Sequence, residues 1–527
     1  MRDFHLPGRS PVYGSNGMAS TSNPLSSKVA IQILEAGGNA VDAAIAAALL
    51  QGVLEPQMAG IGGDCFILLS PAGSEEIIAL NGSGRAPEKI NAEKIRESGH
   101  SVMPLRGVES ITMPGAIDAF CRLSADYGKI GLKASLAPAI HYMKSGVPIA
   151  PRTAFDWSLA EGELKGAARD FYLLKGKPPQ VGQLFQAPMQ AKVLEKIAEK
   201  GRDGFYKGEV AEDMVSSLNA LGGTHSLEDF ENVKCNYTTP ISGKYGNIEM
   251  FEHPPNGQGA TAICINNILS HFDIKSMDAF GVQRTHIEAE ATKLAYDARN
   301  RFIADKSNRI DHMLSMETAK NLASLINPRS VTVNVKSITE SVHKETICLT
   351  IVDKDLMSVS LIYSVFHSFG SGFASSKYGI NFQNRGAGFT LERNHPNEVG
   401  AKKRPMHTII PGMLKKNDKI LMPFCVMGGA YQATGHSRFV SNIVDFDLHP
   451  QTSIDAPRSF ADGGILKVER GYKNDVCRGL TDLGHNLIVP DTPIGGAQAI
   501  LIDYKNGTLV GSSDARKDGA SLARSEE

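Results

Sequence analysis

Hydroxyl and thiol groups recur at alternate positions in Thr346-Ile347-Cys348-Leu349-Thr350-Ile351-Val352. Period-two spacing on an extended strand sends Ile347, Leu349 and Ile351 to one face and Thr346, Cys348 and Thr350 to the other, so three potential nucleophiles share a surface. After the turn Asp353-Lys354-Asp355-Leu356, the run from Met357 to Phe366 carries Ser358, Ser360 and Ser364. Two such strands form a hairpin that presents several hydroxyls together. That arrangement suits nucleophilic acyl transfer. Taken alone, the pattern favours a plain strand face turned to water, because Thr is a favoured strand residue, and periodicity does not choose among the nucleophiles. The glycines of Phe369-Gly370-Ser371-Gly372 and Met427-Gly428-Gly429 could supply the complementary part, since consecutive glycines let backbone N–H groups approach a developing oxyanion. Other signatures are missing: the chain has no GxSxG elbow, no HExxH and no cysteine pair at zinc spacing.

The elements that must position these groups are legible in outline. Ser22 or Asn23 caps a helix with Pro24 in its first turn, and Gly37-Gly38 ends it. Asn39 opens a second helix, apolar nearly all round and therefore buried, which Pro56 closes. Gly60-Ile61-Gly62-Gly63 then feeds the buried strand run CFILL. A phosphate-binding loop is rejected there, because such a loop leaves a strand and enters a helix, the reverse of this order. The middle is helix-rich, with LAPAIHYMKSG, MQAKVLEKIAEKG, VAEDMVSSLNALGG and a long stretch from Val282 to about Ala304. From about residue 330 strand patterns take over: VTVNV, TICLTIVD, MSVSLIYSVF and AILIDY. Lys402-Lys403-Arg404 reads as a solvated basic loop.

Composition narrows the function classes. With 42% hydrophobic and 21% charged residues the 527-residue chain is globular in type, and a net charge of -1 argues against nucleic acid or an anionic membrane surface as partner. Seven well-separated cysteines, an odd number, fit a reduced compartment. The N-terminus lacks a signal-peptide core and no apolar run reaches the ~20 residues of a membrane span, so the expectation is a cytoplasmic protein.

The segment GGNAVDAAIAAALLQGVLEPQMAGIGGDCFILL resembles the opening signature of the γ-glutamyltransferase family, and ITMPGAIDAF, HPPNGQGATAICINNIL, HIEAEATKLAYDARNRFIAD, IDAPR and GSSDARKDGAS resemble the same family in the same order. That resemblance implies an αββα four-layer N-terminal-nucleophile hydrolase fold, α/β (α+β) in class, with helices outside two stacked antiparallel sheets. It implies a precursor that cuts itself, with no metal and no cofactor. ETICLTIVDKD matches the processing motif, so Glu345 ends a large subunit, 1–345, and Thr346 begins a small one, 346–527, the two together one structural domain; the sequence leaves pairing of two such units as a dimer open. The freed α-amine, of ordinary pKa near ~8, would activate the Thr346 hydroxyl. Cys348 and Thr350 would own no such amine. By the same matching Ser364 orients the nucleophile, and Gly428 and Gly429 form the oxyanion hole.

Departures from the family pattern bear on the substrate. Ser83 stands where the family's arginine clamp belongs, with Arg85 two residues on, and His407 and Thr408 replace two carboxylate-binding serines. Phe366 replaces an Asn, Arg385 a Gln, and Gly388 the amine-binding Asp. A guanidinium at Arg385 suits a carboxylate and repels an ammonium. The segments IYSVFHSFGSG, INFQNRGAGF and RPMHTIIP look more like the oxamate amidohydrolase branch, and little length lies between Phe389 and Arg404 for a lid. The expected activity is hydrolysis of a small carboxylate-bearing, oxamate-like amide, with Arg385, His407 and Arg85 on the carboxylate. A γ-glutamyltransferase or glutathione hydrolase with rebuilt anchors is the alternative, and an unprocessed binding protein the third reading.

Overall fold

Residues 8–331 and 346–525 are described by a computed structural model. Glu345 and all of VTVNV after Val331 lie outside the described residues. Two seven-stranded sheets occupy the centre, and their named pairings are antiparallel. The first runs Ala520–Ala523, Gly17–Thr21, Ile347–Asp353, Ser358–Ser364, Asp64–Ser70, Ile78–Gly82, Asn236–Thr238 in spatial order. The second runs Val12–Gly14, Thr508–Ser513, Gly496–Asp503, Lys419–Met427, Pro411–Lys416, Ile248–Glu252, Ile241–Tyr245. Each sheet thus interleaves strands from both sides of residue 346.

Helices cover the outer faces. Asn23 caps Pro24–Glu35, its side chain accepting from the Leu25 N–H, and Asn39 and Asp42 form a reciprocal capping box on Ala40–Leu54. Every residue of Ala40–Leu54 is buried, as its unbroken apolar surface requires. Ala40–Leu54 packs on the strands of the first sheet that carry Ile347, Leu349, Ile351 and Leu361, Pro24–Glu35 packs on Gly17–Thr21, and Leu132–Ser145 and Pro188–Lys200 extend the same apolar core outward from Ala40–Leu54. Gly259–Leu269, Val282–Phe302 and Gln432–Val444 pack on Met250, Leu414, Phe424 and Ala499 of the second. Between the sheets, Met18, Leu68 and Val352 meet Met413, Ile500 and Leu509. The result is the four-layer αββα arrangement. No helix among the described residues is long and apolar enough to cross a membrane.

Four expectations change. Strand content does not begin at about 330; seven of the fourteen central strands lie between 12 and 82 or between 236 and 252, and texture marked only Asp64–Ser70 among them, because short runs such as GMAST and IALNG carry little period-two signal. The hydroxyl face of Ile347–Asp353 does not meet water: Thr346, Cys348 and Thr350 are all buried between the sheets. Cys348 is not a free thiol but forms a disulfide with Cys425, joining the two sheets, while Cys65, Cys121, Cys235, Cys264 and Cys477 remain unpaired thiols. Finally, Arg404 of the basic run is buried, donating to the backbone carbonyls of Ser83 and Lys234 and to Asn236 Oδ1 where those two segments converge.

Candidate active site

Strand register brings the site together. Ile347 pairs with Tyr363, so the next position places Thr346 opposite Ser364. Ser364 in turn pairs with Asp64, and Cys65 with Gly82, which sets Asp64 beside Ser83. Directly opposed residues share a face with Cβ atoms ~4.5–5.5 Å apart. Thr346, Ser364, Asp64 and Ser83 therefore form a row across four strands, at the end of the sheet where Thr346 enters. The Ser364 hydroxyl accepts from the Phe366 N–H at 2.8 Å.

The second sheet supplies the glycine pair. The Ser360 hydroxyl donates to the Phe424 carbonyl at 2.8 Å, and Cys348 is bonded to Cys425. Moving from Thr350 toward Thr346 on one strand thus corresponds to moving from Phe424 toward Gly428 on the other. Gly428 and Gly429 take φ +126° and +57°, backbone that an L side chain adopts only with strain. They lead through a short 3₁₀ turn into the helix Gln432–Val444, whose N-terminal end favours negative charge. Gln258 fastens this turn: its Nε2 donates to the carbonyls of Thr408 at 2.7 Å and Gly429 at 3.2 Å, and its Oε1 accepts from Arg299 at 3.0 Å.

Beyond the row lies Arg385, 1% exposed, at the start of a 3₁₀ turn. Its Nη1 reaches Thr408 Oγ1 at 3.5 Å, and the guanidinium stacks over Phe366 at 4.7 Å. Neither Nε nor Nη2 has a hydrogen-bond partner. Burial lowers its pKa to about 10, with nearby Asp64 opposing the fall, so the group stays charged at neutral pH. Phe366 itself sits at φ +82°, a rare and costly conformation for a bulky side chain. Beside it opens a cleft of about 640 Å³, lined by Phe366, His367, Gly388, Phe389, Met406 and Arg299 among others.

Several anchors expected from sequence lie otherwise. His407 is not turned to a substrate: its Nε2 pairs with Asp64 Oδ2 at 2.9 Å and its Nδ1 lies 3.0 Å from the Pro405 carbonyl. Burial, then the charge of Arg385, lowers its pKa, so the neutral ring is favoured. Arg85 is corrected as well, since it is 40% exposed and pairs with Asp305 at 3.2 Å, drawn outward by that carboxylate. Ser83 belongs to a neutral network with Asn81 and Asn256, so no cation replaces the family clamp at its own position. A Cβ on Gly388 would lie 2.5 Å from the Met406 carbonyl, which leaves no space there for a carboxylate side chain.

Sequence reasoning missed Asp64, the hub of the site. Its Oδ1 accepts from the N–H groups of Gly84 and Gly115 and from Gln383 Nε2, while its Oδ2 holds His407. The signal was available: an acid opening an apolar strand directly after two glycines is costly unless it is hydrogen-bonded. Asn256 and Asn384, which tie loops to His407 and His367, left no comparable mark.

A profile of the family Gamma-glutamyltranspeptidase matches residues 26–524. The chain belongs to that family. Among curated proteins, the glutathione hydrolase-like YwrD proenzyme of Bacillus subtilis (strain 168) is 31% identical, covering 97% of this chain and 99% of its own length. The oxamate amidohydrolase proenzyme of Klebsiella pneumoniae is 30% identical over 96% of this chain and 98% of its own. Among solved structures, a cephalosporin acylase from Bacillus halodurans superposes with a TM-score of 0.92 at 36% identity, covering 100% of this chain and 99% of its own. This member of the gamma-glutamyltranspeptidase family is accordingly an N-terminal-nucleophile hydrolase in fold and an enzyme of a family of proenzymes.

Proposed function

We propose that the chain cuts itself between Glu345 and Thr346 and that the new N-terminal Thr346 hydrolyses amides whose acyl group ends in a carboxylate and lacks an α-ammonium. The buried, under-bonded guanidinium of Arg385 carries this reading. Taking a charge out of water without a partner costs several kcal/mol, about what a bound carboxylate returns. Among the described residues Asp64 is spent on four donors and Gly388 has no side chain, so neither offers a carboxylate to an ammonium.

In the mechanism, the Thr346 hydroxyl first attacks the Glu345 carbonyl, expelling the Thr346 nitrogen as the free α-amine and leaving an ester, and water then cleaves that ester to release the Glu345 carboxylate and restore the hydroxyl. That amine then takes the hydroxyl proton as Thr346 attacks the amide, Gly428 and Gly429 hold the oxyanion, and the proton passes to the leaving nitrogen. Water hydrolyses the acyl-enzyme. Oxamate is the smallest substrate of this kind, and the relative named for oxamate supports the head group. The open cleft and the neighbour named a cephalosporin acylase support room for a larger amine side.

Intact mass of wild type and Thr346→Ala, with turnover of oxamate, glutaryl-p-nitroanilide and γ-glutamyl-p-nitroanilide, tests the proposal. The last two differ only by an α-ammonium. Cleavage in wild type alone and preference for the anionic head without the ammonium are expected. Preference for the γ-glutamyl compound would return the chain to glutathione hydrolase or transpeptidase chemistry, and an uncut, inactive wild type would make it a binding protein.

A further inference from the structure

The motif HIEAEATKLAYDARNRF reaches the site above through Arg299, but its first turns carry groups that chemistry does not use: His286 and Glu290 stand one turn apart on the helix Val282–Phe302. His485, which lies between the helix Asn474–Asp482 and the strand Leu487–Ile488, meets them from the far end of the chain. All three are buried, and one nitrogen or oxygen from each lies within 4.8 Å of the others. The ring nitrogens His286 Nδ1 and His485 Nε2 are 2.8 Å apart. His286 Nε2 lies 2.8 Å from the Asn327 carbonyl. A carbonyl only accepts, so the proton of His286 sits on Nε2 and the lone pair of Nδ1 points at His485. Metal-bound histidines are commonly oriented by just such an outer carbonyl.

We infer that His286, Glu290 and His485 form a structural site for a zinc-type divalent cation. Two imidazoles and a carboxylate match the nitrogen and oxygen preferences of zinc, and a water completes four-coordination. Binding requires His485 Nε2 to give up a hydrogen bond to His286 and offer its lone pair instead. Lys293, 2.5 Å from Glu290 Oε1, competes for that carboxylate and is the residue the cation must displace. Resting on the cleavage proposed above, the site has a role: His286, Glu290 and Asn327 belong to the large piece and His485 to the small one. Val331, the last residue described before 346, donates to the Leu483 carbonyl two residues from His485. A cation here would clamp the end of the large piece onto the small one, away from the substrate.

Metal-stripped full-length protein is titrated with Co²⁺ and, separately, Zn²⁺, following the visible ligand-field absorption of four-coordinate Co²⁺ and metal content after gel filtration. One equivalent is expected per 527-residue chain, bound whether or not Thr346→Ala blocks cleavage. His485→Gln should weaken binding by more than the ~10–100-fold that loss of an outer partner costs, and Lys293→Met should tighten it. Absence of stoichiometric binding in wild type, or binding by His485→Gln equal to wild type, overturns the site. Should His485→Gln not fold, Lys293→Met decides: unchanged affinity there overturns the site too.

Discussion

Replacing Arg385 by Met separates the cost of the buried guanidinium from its use. Its fall in pKa from 12.5 to about 10 corresponds to about 3 kcal/mol of penalty in the folded state. Between those two values the unfolded chain binds a proton that the folded chain releases, so stability rises with pH in that window; below it both states hold the proton and the penalty is present in full. Losing the stack on Phe366 gives back about 0.5–2 kcal/mol, part of which the methionine sulfur recovers on the same ring. The net gain is about 1–2 kcal/mol. Unfolding entropy for a chain of this length is about 1 kcal/mol/K, so calorimetry at pH 7 should show Tm higher by about 1–2 °C. Catalysis moves the other way. Truncating one partner of a buried charge pair costs about 2–5 kcal/mol, so kcat/KM for glutaryl-p-nitroanilide should fall ~30- to 4,000-fold, while the uncharged n-valeryl compound loses little. A variant that is less stable than wild type, or that loses charged and uncharged substrates equally, refutes the assignment of Arg385 to the carboxylate.

Three further perturbations address the rest of the site. Ser364→Ala should leave the fold intact by circular dichroism and slow both cleavage and turnover by ~10²–10⁴, whereas Thr346→Ser should still process; equal rates in Ser364→Ala would remove that hydroxyl from the mechanism. Cys348→Ala with Cys425→Ala opens a loop of 77 residues' separation, worth about 4 kcal/mol of unfolded-chain entropy, so the urea midpoint should drop and self-cleavage slow; because both cysteines follow Thr346, processed enzyme should lose as much stability as precursor. Glu55, buried against Ser22 and Gln51, has its pKa raised by burial to about 7. Its contribution is complete below pH 4.5 and is lost as pH rises through 7, so Glu55→Gln should match wild type at pH 4.5 and exceed it by about 3 kcal/mol at pH 8 in urea titrations.

What the sequence disclosed follows from the range of the interaction concerned. The helices Pro24–Glu35 and Ala40–Leu54 were legible to their caps, because Asn23, Pro24, Asn39 and Gly37 act within one turn. The alternation of Thr346, Cys348 and Thr350 was equally plain, yet nothing local could say that a second sheet, not water, covers that face. The disulfide shows the limit most sharply: Cys348 and Cys425 are adjacent only because their strands stack, and spacing along the chain carries no trace of it. The anchors divide by the same rule. Arg385 and Gly388 were readable as changes of charge, whereas the outward turn of Arg85 and the capture of His407 depended on Asp305 and Asp64, each more than two hundred residues from its partner. A charge can therefore be read from sequence as present, but whether it is available for substrate is decided by where the nearest opposite charge folds. In this candidate site Arg85 and His407 meet such a charge, and Arg385 is the cation left to the carboxylate proposed above.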